Sequence, residues 1–199
     1  MHDTLRRLAA ALLAGACATA TAASGNRMML PDDVVPDAYR IAVTPHAEQA
    51  TFEGSGEIDV RVRRSTARIV LDSADLAIAG ATLDATADAA QVALDPALQR
   101  ATFTFAHPIE PGRHTLRIVY SGKIQDQAAG LFRLKYATPA GTATALFTMF
   151  EDSDARRFVP SWDEPARRAT FDVTVTVPPG QMAIGNMPVA STDDLPGGL

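Results

Sequence analysis

The sequence predicts an all-β protein, a sandwich or a saddle of packed antiparallel sheets. Three observations predict it: apolar and polar residues alternate along many short segments, turn residues interrupt them at close spacing, and no long stretch carries a helical period. Alternation is informative because successive side chains of a strand point to opposite faces. A sheet with one solvated face therefore reads apolar, polar, apolar.

The elements follow in order. Residues 39–43 alternate and stop at Pro45. Residues 56–63 alternate strictly, with Ile58, Val60 and Val62 on one face and Glu57, Asp59, Arg61 and Arg63 on the other. Residues 68–72 make a shorter, more buried strand, and residues 91–94, 100–105 and 114–120 continue the series. Turn residues at Asp95-Pro96, from Pro108 to Gly112, and at Ser121-Gly122 separate them. Residues 81–90 are alanine-rich with charges and fit a helix, a strand or a loop. Residues 142–147 and 170–177 are two further strands, the second ended by Pro178-Pro179-Gly180.

A length of 199 residues suits one domain, or one domain plus a tail. With 47% hydrophobic and 21% charged residues a buried core is available. The net charge of −5, without a basic stripe or a run of Lys and Arg, excludes nucleic acid as an expected partner. Arg6 and Arg7, an apolar run around Leu8, Leu12 and Leu13, and the small residues Ala20-Thr21-Ala22 read as a signal peptide over residues 1–23. The apolar run falls short of the roughly 20 residues that a bilayer crossing needs, so no transmembrane segment is expected. The domain then occupies residues 24–199, exported to a periplasm or secreted. Cys17, the one cysteine, lies in the leader. Lipidation there is the minor alternative, because Ala14-Gly15-Ala16 precedes it without the expected leucine. Simple cleavage leaves no cysteine, hence no disulfide, thiol nucleophile or thiolate metal site. Residues 191–199 read as a loop leading onward, which points to the front part of a longer protein.

Catalytic machinery is not visible. His2, His46, His107 and His114 form no His-Glu-x-x-His pair, and a catalytic zinc takes three protein ligands, so no metal site is expected. No Gly-x-Ser-x-Gly elbow or phosphate-cradling Gly-x-x-x-x-Gly-Lys motif occurs; Gly54-Ser55-Gly56 reads as a loop serine between glycines. Carboxylates alternate along strand faces, where solvation is the ordinary state.

Residues 147–177 are the most informative stretch. An apolar strand ends at Phe147, and a polar turn carries Glu151. Ser153 or Asp154 is placed to cap a short helical turn bearing Arg156 and Arg157. Trp162-Asp163-Glu164-Pro165 makes a rigid corner, since Pro165 forces Glu164 into an extended geometry. So many charges between two strands call for internal pairing, with Arg156 or Arg157 meeting Asp163 or Glu164.

This stretch resembles the region of the aminopeptidase N family of zinc aminopeptidases that reads Thr-Gln-Phe-Glu-x-x-Asp-Ala-Arg-Arg-x-Phe-Pro-Cys-Trp-Asp-Glu-Pro. Leu30-Pro31, Pro36-x-x-Tyr39, Phe52-x-Gly54-x-Gly56 and Gly130-Leu131-Phe132-Arg133-x-x-Tyr136 match further, in the family's order. The resemblance covers roughly residues 30–188. It implies a saddle-shaped N-terminal β-domain leaning on a thermolysin-like catalytic domain. The Gly-x-Met-Glu-Asn motif and the zinc helix of that domain are absent from these residues. Zinc is accordingly expected in the catalytic domain and not in this chain. By the same resemblance Glu151 anchors the free α-amine of a peptide substrate, as a carboxylate pairs with an ammonium. Met149, where the family has glutamine, lines the substrate pocket with a flexible apolar side chain. Ser161 takes the place of the family's cysteine, a packing position. The alternative is a stand-alone exported β-sandwich that binds a partner without catalysis.

Overall fold

Among the described residues the predicted alternation becomes ten strands. The structure, a computed structural model, describes residues 29–84 and 89–195; the leader, Cys17 and His2 lie outside the described residues. The strands are β1 (Val34–His46), β2 (Thr51–Val62), β3 (Thr66–Asp72), β4 (Leu76–Leu83), β5 (Gln91–Asp95), β6 (Arg100–Ile109), β7 (Gly112–Lys123), β8 (Gly130–Thr138), β9 (Gly141–Met149) and β10 (Thr170–Val175). One 3₁₀ turn, Ala155–Arg157, interrupts them between β9 and β10.

Three sheets result. The largest runs β10-β1-β2-β7-β4, the second β3-β6-β5, and β8 pairs with β9 alone. The predicted antiparallel pairing holds throughout except at one edge, where β10 lies parallel to β1. A strand's direction is set by how the chain returns to the sheet, which residue alternation does not encode. Here Phe171 of β10 stands opposite Tyr39 of β1, and their rings stack at 4.7 Å.

The two larger sheets share one core. Ile58 and Val60 of β2, Leu116 and Ile118 of β7, Ile69 and Leu71 of β3, and Phe103 of β6 belong to a single buried cluster. Phe158, Val159 and Trp162 extend that cluster under the corner after β9. On the solvated face of the largest sheet the charges form a ladder. Arg40 donates to both Asp59 oxygens at 2.8 Å, and Arg117 Nε donates to Glu57 at 2.8 Å. Hydrogen bonds from Arg117 and Arg40 hold the Glu57 carboxyl below the usual carboxylate range, and Arg40 does the same for Asp59.

Two expected turns lie inside strands. Gly54-Ser55-Gly56 is part of β2 and Ser121-Gly122 part of β7. The cause is a reciprocal fit across the pair. Gly54 stands opposite Tyr120, and Phe52 opposite Gly122. A side chain at Gly54 would put its Cβ 2.5 Å from the Tyr120 ring, and Gly122 is likewise covered by Phe52. Each ring lies over the residue that has no side chain, so local turn chemistry gives way to cross-strand packing. β1 runs past Pro45 to His46, and β6 runs past residue 105 through His107 to Ile109. The ambiguous 81–90 stretch divides: β4 ends in it at Leu83, Ala89 bridges back to Thr82, and residues 85–88 lie outside the description.

His114, in β7, ties two elements together. Its Nδ1 is 2.6 Å from Asp84 Oδ2, and its Nε2 is 2.9 Å from the Glu110 carbonyl. Only the imidazolium donates to both. Burial pulls the ring's pKa down, but the Asp84 hydrogen bond and the Glu110 carbonyl together raise it above the ordinary 6.5. A raised folded value means the contribution is fully present below about pH 6.5 and is lost as pH climbs through the folded pKa. Urea titrations should therefore show the unfolding midpoint of the chain falling as pH rises above about 6.5. His114→Ala should flatten that fall.

Candidate functional site

The corner after β9 is where residues distant in sequence meet. Asp72 ends β3, and its backbone exchanges hydrogen bonds with Ser161: Asp72 N–H donates at 2.8 Å and Ser161 N–H donates back at 3.0 Å. The Asp72 carboxylate accepts from Asp163 N–H at 3.2 Å. Arg156 lies between the two acids. Its Nε donates to Asp163 Oδ2 at 2.9 Å, and its Nη1 is 3.6 Å from Asp72 Oδ1 and 3.4 Å from Gln99 Oε1. Burial raises the Asp72 carboxyl above the usual range, even with Arg156 beside it. A buried acid, Asp72, and a half-buried one, Asp163, sharing one guanidinium are each incompletely compensated.

The rest of the corner is tied down similarly. Trp162 is buried and its backbone N–H donates to the Tyr39 hydroxyl at 3.2 Å. Burial also pushes that hydroxyl's pKa up. Glu164 Oε1 accepts from Leu30 N–H at 2.6 Å, and its other oxygen lies 3.5 Å from Arg167 Nε. The predicted pairing of Arg156 with Asp163 is present. Arg157 does not join it: Arg157 meets Asp154 at 2.7 Å and Asp75, while Glu164 takes Arg167. Asp154 does sit at the cap position of the 3₁₀ turn, yet its carboxylate goes to Arg157 and caps no N–H; Ser153 instead hydrogen-bonds Asp152. Ser161 is buried, in keeping with a packing position.

Glu151 stands on the turn that enters this corner. Asp154 N–H donates to the Phe150 carbonyl at 3.0 Å, closing residues 150–154. The Phe150 ring packs 5.3 Å from Phe158, which packs 5.9 Å from Phe52 in the core. Glu151 itself is exposed. Among the described residues its carboxylate meets no hydrogen-bond or ion-pair partner. Met149 ends β9 opposite Gly130 and is 42% exposed. Leu134 and Tyr136 of β8 and Phe147 of β9 are exposed as well, so the two-stranded sheet carries an uncovered apolar surface. A lone two-stranded sheet is marginally stable in water and gains from cover on such a face.

Asp75, Asp72 and Gln99 were not singled out by the sequence. Asp72 alone carried a signal, as an acid closing the buried run Ile69-Val70-Leu71. Among the described residues no group of three His, Cys, Asp or Glu side chains is placed to hold a metal. No helix among them is long and apolar enough to cross a membrane.

Comparison with known proteins bears on the whole fold. The family model described as the Peptidase M1 N-terminal domain matches residues 35–199. The chain belongs to this family. Aminopeptidase N of Acetobacter pasteurianus is 40% identical over 164 residues, covering 82% of this chain and 46% of its own length. Aminopeptidase M1-D of Oryza sativa subsp. japonica is 32% identical over 175 residues, covering 87% of this chain and 20% of its own length. Endoplasmic reticulum aminopeptidase 1 of Mus musculus is 30% identical over 182 residues, covering 87% and 20% respectively. The chain thus spans less than half the length of these relatives. The M1 N-terminal match includes the all-β body and the corner bearing Glu151, Arg156 and Arg157.

Proposed function

We propose that this chain is the substrate-pocket-forming N-terminal domain of a zinc-dependent aminopeptidase, one that releases N-terminal residues from peptides. Glu151 anchors the substrate's free α-amine, and Met149 lines the adjoining pocket. Zinc and the catalytic base are supplied by a separate catalytic domain, a reading supported by the match to the Peptidase M1 N-terminal domain. The exposed faces of β8 and β9 suit contact with that domain. The leader read from the sequence at residues 1–23 supports an enzyme outside the cytoplasm, in a periplasm or secreted.

The carrying observation is the state of the Glu151 carboxylate. From Glu151 to Glu164 every other charged side chain has a partner, whereas Glu151 is exposed on a closed turn with none among the described residues. An acid held in place but left unpaired is suited to receive an ammonium from outside the chain. In the full enzyme, Glu151→Ala should raise KM for free-amine peptides by about tenfold or more, the worth of a charge-assisted hydrogen bond. Steady-state kinetics on an aminoacyl anilide measures it, and an unchanged KM refutes the assignment.

A further inference from the structure

We infer that Arg157 is the positioning residue for Glu151, clamping the turn that carries it to Asp75 in the link between β3 and β4. The inference rests on the reading of Glu151 above.

Its first support is that the turn is a closed unit, since Asp154 N–H donates to the Phe150 carbonyl at 3.0 Å across Glu151. Arg157 then grips that unit, with Nε donating to Asp154 Oδ1 at 2.7 Å. Its Nη1 reaches Asp75, in the link between β3 and β4, and so ties the turn to the frame of the domain. Gly130 opens the space for this arm. Its φ of +60° favours glycine, and a methyl group there would stand 2.8 Å from Arg157 Cβ.

The two neighbouring arginines therefore divide the work. Arg156 faces Asp72, which is buried, and Asp163, which is half-buried, and holds the corner together. Arg157 faces the turn on one side and the rim on the other. A planar guanidinium engages two carboxylates along separate N–H directions, which one ammonium does less well. Pairing Asp154 also keeps that carboxylate from competing with Glu151 for a substrate ammonium.

The test is a double-mutant cycle in the full enzyme, following KM and kcat on an aminoacyl anilide together with thermal unfolding. Arg157→Met should raise KM by about fivefold with kcat changed by less than about twofold, the pattern of lost uniform binding. On a Glu151→Ala background the same change should raise KM no further, because the clamp then has nothing to position. Arg157→Lys should restore part of the KM. Asp75→Asn, at an exposed αL site that asparagine tolerates, should raise KM by about twofold while leaving Tm unchanged. An Arg157→Met effect of equal size with and without Glu151, or no effect on KM, overturns the inference while leaving the amine anchor standing. An unchanged KM in Glu151→Ala alone refutes the anchor and the clamp with it. Should Arg157→Met fail to fold, Asp75→Asn decides, and an unchanged KM there overturns the clamp.

Discussion

Arg156→Met is expected to destabilise the domain by about 3–5 kcal/mol, because it leaves two acids without their shared cation. The side chains of Asp72 and Asp163 are 6% and 13% exposed, so water replaces the guanidinium poorly. The Asp72 carboxyl is raised by burial even in the intact network, so its charge is already costly before the cation is removed. For a chain of this size such a loss corresponds to a fall in Tm of roughly 10 °C. Thermal unfolding followed by circular dichroism measures it. Arg156→Lys should cost less, since it keeps the charge and loses the fork that spans Asp163, Gln99 and Asp72. A loss below about 1 kcal/mol for Arg156→Met would place the network with exposed ion pairs and refute its bracing role.

Phe52→Ala should cost a similar amount, about 3–5 kcal/mol, through a different cause. Phe52 is fully buried and meets two rings, Tyr120 edge-on at 6.4 Å and Phe158 stacked at 5.9 Å. Removing it empties the space over Gly122, which has no side chain to fill the gap. Phe158 also packs against Phe150, so one ring separates the cavity from the turn that bears Glu151. Chemical denaturation gives the loss. Phe52→Leu, which fills part of the volume, should recover a measurable share.

The sequence was legible where one residue's environment is set by its neighbours along the chain. Ile58, Val60 and Val62 alternate with charges, and the structure buries the first set and pairs Glu57 and Asp59 on the wet face. It was misleading where the deciding partner is remote. Gly54 and Gly122 look like turn residues, and only the rings across the β2–β7 pair explain them as strand. β8 carries a readable pattern, Phe132, Leu134 and Tyr136 alternating with Arg133 and Lys135, yet its outer half is exposed on both faces, so here alternation does not mark a buried face. The parallel placement of β10 depends on a return path of more than a hundred residues. The site shows the same division. Arg156 with Asp163 lies within one short segment and was anticipated, whereas Arg157 with Asp75 spans 82 residues and was not.

The facing of rings and glycines between β2 and β7 also acts as an address. In the observed register each ring meets one glycine: Phe52 with Gly122, Gly54 with Tyr120. A slip of one residue would turn every inward side chain outward. A slip of two keeps the faces but spoils the match. In one direction Phe52 would confront Tyr120 and crowd the pair, and in the other Gly54 would confront Gly122 and leave it hollow. Misaligned pairings are thus penalised in both directions, by overlap on one side and by lost contact on the other. Four residues on two strands can thereby tell a newly made chain which alignment to keep.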